Sequence, residues 1–386
     1  MPLPPSPPLP SRLPEVGTTI FSVMSALAVR AGAVNLGQGF PDFGCDPRLV
    51  ALVDEAMRAG HNQYPPMAGL AALREAVAAK TEALVGTRYD PEREVTVTAG
   101  ATQAIFTALL ACVHPGDEVV VLEPCYDSYV PGIVLAGGHV VRVPLTPGHF
   151  RPDFDAIAAA LTPRTRAIVV NTPHNPTGTV WTRAEWQRLA ELLGSTDVLV
   201  IADEVYEHMV FDGGVHGGAA AIPALAARSF VVSSFGKTFH VTGWKVGTVC
   251  APAPLTAEFR KVHQFNVFTV NTPMQHALAA YLADPAPYLA LADFYQRKRD
   301  RFRAGLASTR LRLLPCEGTY FQTVDYRALS DLPEAAFCEW LTTEVGVAAI
   351  PISAFYGAPT EQGLARLCFA KRDETLDLAL QRLAGL

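Results

Sequence analysis

The chain has 386 residues, 49% of them hydrophobic, and a formal net charge of −6. That length and apolar content suit a globular protein of about two or three domains with large buried cores. The acidic balance, with lysine and arginine scattered, leaves no footprint for nucleic acid, and no apolar run reaches the roughly 18 residues that a membrane-spanning helix needs.

Seven of the first fourteen residues are proline. With neither a basic leader nor an apolar centre, residues 1–14 do not read as a secretory signal and are expected to form an extended or disordered arm. Seven cysteines, odd in number, dispersed and free of C-x-x-C spacing, predict reduced thiols and a cytoplasmic setting. Cys112, Cys250 and Cys368 stand in apolar runs and read as small core hydrophobes.

Between about residues 94 and 250, β-rich runs alternate with helical patterns: Glu94–Thr98, Glu118–Leu122, Ala167–Val170, Val198–Ile201 and Phe230–Val232. Alternation of this kind predicts an α/β architecture, a mostly parallel sheet covered by helices. The runs at 167–170 and 198–201 are apolar throughout, as strands buried on both faces are, and are expected at the centre. Ligands of open α/β sheets sit beyond the carboxyl ends of the strands, and here those ends are polar. After the first run, Ala99-Gly100-Ala101-Thr102-Gln103 opens a helical pattern whose free amides suit an anion, although Thr102 also reads as an N-cap. After the third run, Asn171 to Gly178 places Asn175 in a loop stiffened by Pro173 and Pro176. After the fourth, Asp203 ends an apolar strand, where a carboxylate needs a partner; a helix cap or an ion pair is the plainer reading.

The fifth run ends in Ser233-Ser234-Phe235-Gly236-Lys237-Thr238, with Lys245 eight residues beyond Lys237. An isolated lysine is ordinarily a solvated surface charge; against that plainer reading, a lysine at a strand end with a serine before it and a cation after it suits a group with both an aldehyde and a phosphate, as pyridoxal phosphate has. Gly236-Lys237-Thr238 imitates the end of a nucleotide phosphate loop. The leading glycine of that loop would fall at Val231, whose β-branched side chain cannot make the tight turn, so ATP or GTP binding is excluded. Glu204-Val205-Tyr206-Glu207-His208 lacks the zincin pattern and its inverse, because Glu204 stands where the first histidine is needed, and no catalytic metal is expected. Beyond residue 250 the alternation weakens. Tyr288–Leu306 reads as a long connecting helix, and Cys316–Phe321 and the β-like run Ala365–Ala370 belong to a second domain.

Taken in order, Asn35-Leu36-Gly37-Gln38-Gly39-Phe40-Pro41-Asp42-Phe43, Asn62-Gln63-Tyr64, Asn175-Pro176-Thr177-Gly178 and residues 233–247 make the chain resemble the class I pyridoxal-phosphate aminotransferases of fold type I, from about residue 15 to its end. Within that family it is similar to the methionine and kynurenine aminotransferase group. The resemblance implies a large domain with a mostly parallel central sheet and a smaller α+β domain. The expected division is a Pro-rich arm over 1–14, an N-terminal segment over 15–44 that packs with the small domain, a large cofactor-binding domain over 45–287 and a small C-terminal domain over 288–386.

The resemblance also implies roles. Lys237 bears the pyridoxal phosphate covalently and, once released by substrate, carries a proton between the substrate α-carbon and the cofactor; an ordinary lysine, with a pKa near about 10.4, needs burial and neighbouring cations for that work. Asp203 keeps the pyridine nitrogen protonated, Asn175 and Tyr206 bond the phenolic oxygen, and Tyr126 stacks on the ring. Gly100, Ala101, Thr102, Ser234 and Lys245 hold the phosphate. Many aminotransferases carry arginine where Lys245 stands, and lysine offers a point charge in place of a fork. Arg366 clamps the substrate α-carboxylate with two parallel donors, assisted by Gly39 and Asn175. Tyr64 reaches the phosphate in the neighbouring subunit, which implies a homodimer with shared sites.

One pocket must accept an amino acid and then a 2-oxo acid. Phe21, Phe40, Tyr64, Phe265, Phe268 and Phe355 are candidate walls, which favours apolar, sulfur-containing or aromatic side chains. Methionine leads, with phenylalanine, leucine, kynurenine and glutamine behind it. No arginine stands out as a second carboxylate clamp, which argues against an aspartate enzyme. The alternative activity is a cysteine-conjugate β-lyase, which uses the same electron sink to expel a β-leaving group. A transcription regulator built on this domain would need a DNA-binding module for which the proline arm leaves no room.

Overall fold

The computed structural model describes residues 9–386. Most of the arm expected over 1–14 lies outside the described residues, and residues 9–14 carry neither helix nor strand. The helix Ile20–Ala31, with Thr19 accepting from the Ser22 amide at its start, leads into a short strand β1 (Val34–Asn35).

Seven strands form the main sheet: β2 (Val95–Thr98), β3 (Glu118–Glu123), β4 (His139–Pro144), β5 (Thr165–Asn171), β6 (Leu199–Asp203), β7 (Ser229–Ser234) and β8 (Gly247–Cys250), in the order β2-β8-β7-β6-β5-β3-β4. Strands β7, β6, β5, β3 and β4 run parallel, and β8 is antiparallel to both of its neighbours. The sheet is therefore mostly parallel, with the two fully apolar runs paired side by side as β5 and β6 in its interior. Helices cover it. In Arg183–Leu193, Trp186, Leu189, Ala190 and Leu193 are buried at helical spacing, and a capping box between Thr182 and Glu185 fixes where the helix begins. Truncating Leu189, which is fully buried, to alanine should cost about 2–5 kcal/mol.

Two strands of the main sheet were not foreseen. Most of β4 is exposed or half-buried at the sheet edge, so it has no continuous apolar run. The four residues of β8 begin at Gly247, which is poor strand material by propensity, and pairing on both sides outweighs it. The run read as one helix over Tyr288–Leu306 is two helices, Ala286–Leu289 and Leu291–Leu306, separated at Ala290.

A second sheet combines β9 (Arg312–Leu313) and β10 (Phe321–Asp325), then, past the short β11 (Val347–Ala348), β12 (Ile350–Pro351) and β13 (Leu364–Cys368), in the antiparallel order β12-β13-β10-β9. Strand β11 pairs in parallel with β1, and Met24, Val34 and Leu36 share one buried cluster with Phe337, Val347 and Leu367. The amino-terminal segment is thus part of the same packing unit as the carboxyl-terminal sheet. The two sheets meet where Gly178 accepts from the amides of Glu317 and Gly318. A Cβ on Gly318 would lie 2.6 Å from the Met209 carbonyl oxygen, so this close approach requires glycine. It sets Tyr320 and Phe321 opposite the carboxyl ends of β5, β6 and β7.

Candidate active site

Those strand ends, the start of the helix Ala101–Cys112 and strand β13 enclose a cavity of about 340 Å³. Gly39, Gly100, Ala101, Thr102, Tyr126, Asn175, Asp203, Tyr206, Ser234, Lys237, Lys245 and Arg366 all line it. Tyr64 does not. It is 80% exposed and packs edge-on against Phe268 outside this cavity.

One end of the cavity is built for an anion. Gly100, at φ 80°, occupies the N-cap position of the helix Ala101–Cys112, so Thr102 lies inside the first turn and is not the cap. First-turn amides such as those of Ala101 and Thr102 have no intrahelical acceptor and carry the positive end of the helix dipole. A Cβ on Gly100 would sit 3.4 Å from Lys245 Nζ, which places that ammonium beside the helix start. Lys245 itself adopts φ 54°, a left-handed conformation uncommon for a residue with a side chain. Gly247 pairs with Thr98 on one side and Ser234 on the other, and a Cβ there would lie 2.7 Å from the Ser233 carbonyl oxygen and 3.1 Å from the Ala101 amide. Ser234, the helix start and Lys245 are brought together because position 247 is glycine.

Deeper in, Asp203 is buried and takes a hydrogen bond at 2.5 Å from the Tyr129 hydroxyl. Burial pushes its carboxyl up to about 6, while Tyr129, the Val205 amide and the charge of Lys237 oppose that rise. Asn171, the register partner of Asp203 on β5, donates from Nδ2 to the Asp203 carbonyl oxygen at 2.8 Å and accepts from the Asn175 amide at 2.8 Å. The Asn175 loop and the Asp203 strand end are thereby locked to one another.

Lys237 lies in the short helical turn Phe235–Thr238 that follows β7. Burial brings its amine down to about 8, and the cations of Arg366 and Lys245 push the same way while Asp203 opposes them. Nζ donates to the Tyr320 hydroxyl at 2.9 Å and lies 5.5 Å from the centre of the Tyr206 ring. Tyr206 is buried, and burial raises its phenol.

Arg366 sits on β13 between β10 and β12 and is 1% exposed. Nη1 donates to Asn175 Oδ1 at 2.8 Å and Nη2 to the Gly37 carbonyl at 2.7 Å, while Nε is buried with no partner among the described residues. The guanidinium stacks 4.0 Å from the Phe321 ring centre, with Phe21 and Phe355 each at 5.3 Å. Among the expected walls, Phe21 and Phe40 line the cavity, and Phe355 is buried edge-on against Phe21. Phe265 and Phe268 lie outside it with Tyr64, and Phe265 is 86% exposed. Phe321 is an additional wall.

The site contains residues that the sequence reading did not assign: Tyr129, Asn171, Tyr320 and Phe321. Asn171 carried a usable signal, a polar side chain ending one apolar strand as Asp203 ends the next. Tyr129 and Tyr320 carried none, since a tyrosine in an apolar context ordinarily fills a core.

The model of aminotransferase class I and II matches residues 31–383. The chain belongs to the class I and II aminotransferase family. It is 52% identical over 377 residues to the methionine aminotransferase of Escherichia coli (strain K12), covering 97% of this chain and 98% of that protein. It is 36% identical over 392 residues to human kynurenine--oxoglutarate transaminase 1, covering 92% of this chain and 93% of that protein. Among solved structures, an Escherichia coli protein described as having a methionine aminotransferase function matches with a TM-score of 0.96 at 52% identity over 100% of both chains. The N-succinyldiaminopimelate aminotransferase of Mycobacterium tuberculosis matches with a TM-score of 0.94 at 45% identity, covering 98% of this chain and 100% of that one.

Aminotransferases of this class and fold use pyridoxal phosphate, and the residues fit it. The cavity offers donors without acceptors at its anion end, a buried carboxylate suited to a protonated ring nitrogen, a lysine whose amine is lowered toward neutrality and an arginine with an unpartnered buried nitrogen.

Proposed function

We propose that this aminotransferase takes L-amino acids with apolar, sulfur-containing or aromatic side chains, methionine first, and passes the amino group to a 2-oxo acid. One observation carries the substrate class: Arg366 is the only arginine lining the cavity among the described residues, and Phe21, Phe40 and Phe321 line it as well. A single guanidinium serves the α-carboxylate, and three phenylalanine rings line the same cavity. The methionine aminotransferase relative supports the same reading.

Bound pyridoxal phosphate supplies an electron sink and a carrier for the amino group. The chain's own residues do the rest. In this reading Lys237 holds the cofactor, and its Nζ, once free, takes the proton from the substrate α-carbon; an amine near 8 performs that transfer at neutral pH far better than an ordinary lysine. Asp203, kept ionised by Tyr129 and the Val205 amide, would pair with the ring nitrogen and hold its proton. Asn175 accepts from Arg366 at Oδ1, so its Nδ2 donors would be left, with the Tyr206 hydroxyl, for the phenolic oxygen. Tyr126, which lines the cavity, would stack on the ring. Gly100 shapes the turn through which the Ala101 and Thr102 amides, the Ser234 hydroxyl and Lys245 hold the phosphate. Arg366, oriented by Asn175 and Gly37, receives the substrate carboxylate beside Gly39.

The reading includes a homodimer. Tyr64, Phe265 and Phe268 are 80%, 86% and 45% exposed, an aromatic cluster that a second copy would cover while Tyr64 reaches into its site. Also proposed is the division into an arm (1–14), an N-terminal segment (15–44), a large domain (45–287) and a small domain (288–386). A cytoplasmic setting accords with seven free cysteines.

A single-turnover panel tests the substrate class: enzyme is mixed with one amino acid at a time, and the loss of the cofactor's aldehyde-form absorbance is timed. Methionine should react fastest. Faster reaction with aspartate or N-succinyldiaminopimelate would refute the apolar subsite, and pyruvate release outpacing amino transfer with a cysteine conjugate would favour the lyase.

A further inference from the structure

Lys237 Nζ donates to the Tyr320 oxygen at 2.9 Å and, at the longer distance of 3.3 Å, to the Gly39 carbonyl, and the Tyr320 hydroxyl donates to that same carbonyl at 2.6 Å. A phenol has one proton. With that proton on Gly39, the oxygen faces Lys237 as an acceptor, so the amine must be the donor. A neutral amine that gives one N–H to Tyr320 keeps its lone pair for attack.

The phenol is rigidly placed. Tyr320 is fully buried, and the rings of Phe321, Tyr206 and Tyr295 lie 4.8, 5.2 and 5.6 Å from its own. Its carbonyl accepts from the Phe369 amide at 2.9 Å. The preceding Thr319 is held at φ 66°, an unfavourable conformation for a β-branched residue, and the Met209 carbonyl accepts from its amide at 3.0 Å. Gly39 is fixed from the other side, since a Cβ there would lie 2.8 Å from the Phe321 ring.

We propose that Tyr320 is a positioning residue for Lys237: its oxygen takes one N–H of the free amine while Gly39 holds the phenol, tying the lysine to the segment beside the substrate-carboxylate site. The proposal rests on Lys237 being the cofactor-bearing lysine. The other charged or titratable groups around that amine are Asp203 at the end of β6, Arg366 and Cys368 on β13, Lys245 and Tyr206. Of these, Tyr206 shares a side-chain hydrogen bond with the Tyr320 hydroxyl and loses it when that hydroxyl is removed.

The test uses full-length protein freed of cofactor, as wild type, Tyr320→Phe and Tyr295→Phe. Tyr295 packs against Tyr320, and its hydroxyl is buried without a partner among the described residues, so its removal controls for packing. Two quantities are read: the pH midpoint of Lys237 acylation, by peptide mass spectrometry, and the rate of pyridoxal phosphate capture, by absorbance. Losing an acceptor destabilises the ammonium, so Tyr320→Phe should move the midpoint down by about one pH unit, and capture above the midpoint should slow on the order of 10-fold. Tyr295→Phe should change neither. Unchanged values in Tyr320→Phe, or equal changes in Tyr295→Phe, would overturn the proposal. Borohydride-fixed cofactor found on another lysine would overturn the underlying reading as well, whereas cofactor on Lys237 with unaltered rates would overturn the positioning role alone.

Discussion

The Tyr129 hydroxyl donates to Asp203 Oδ2 at 2.5 Å, joining two buried side chains that stand 74 residues apart in the chain. A buried carboxylate loses ionisation unless it is hydrogen-bonded, and Asp203, already raised to about 6 by burial, has only a weak second donor in the Val205 amide at 3.4 Å. Tyr129 therefore keeps the carboxylate usable near neutrality. In Tyr129→Phe its pKa should rise further, so the acidic limb of the kcat profile moves to higher pH, and kcat at neutrality falls about 10- to 100-fold. A pH–rate profile checks this, and an acidic limb that stays in place would remove Tyr129 from the account.

At the anion end the essential contribution of Lys245 is charge. Lys245→Ala should weaken pyridoxal phosphate binding about 10-fold or more and flatten its dependence on salt, because the remaining donors are neutral. Equilibrium dialysis at two ionic strengths measures both effects.

Gly247 acts through space alone. Gly247→Ala would push a methyl against the Ser233 carbonyl and the Ala101 amide, separating Ser234 from the helix start. Cofactor affinity should fall about 10-fold while Arg366, on the other sheet, and its partners Asn175 and Gly37 stay clear of the added methyl, so KM for the amino acid in cofactor-saturated enzyme should stay within about twofold.

Shared sites have a complementation signature. Lys237→Ala and Tyr64→Ala should each be severely impaired as pure dimers. A hybrid has one site with both residues intact, so random mixing should restore roughly one quarter of wild-type activity. Absence of recovery in confirmed hybrids would place Tyr64 outside the neighbouring site.

A buried pair beneath the site governs acid stability. Lys80 Nζ donates to Glu207 Oε1 at 2.6 Å, and Ser233 donates to the same oxygen at 2.9 Å. Burial alone would raise Glu207, but Lys80 and His208 outweigh it and hold the carboxylate well below the ordinary range. A depressed folded pKa contributes stability that is present above the unfolded value, 4.5, and is lost as pH falls below it. Glu207→Gln should therefore cost about 3–5 kcal/mol at pH 7, measured by denaturant unfolding, with the difference from wild type shrinking in acid.

The sequence carried much of this site because strand ends carry chemistry. β5, β6 and β7 have apolar centres, and the polar residues at or just past their ends, Asn175, Asp203, Ser234 and Lys237, are conspicuous by position. What it did not carry depends on packing between distant segments. Tyr320 meets Lys237 only because Gly318 lets the second sheet approach Met209, and nothing local to either residue announces that contact. The exposed edge strand β4 and the short β8 were hidden for a related reason: their pairing partners, more than their own composition, make them strands.

Every proposed role in the site depends on Lys237 bearing the cofactor. The direct measurement is borohydride reduction of the purified enzyme followed by peptide mapping of the fixed pyridoxyl group. The pyridoxyl group should be on Lys237 alone; finding it on Lys245, or finding full amino-transfer activity in Lys237→Ala, would contradict the assignment.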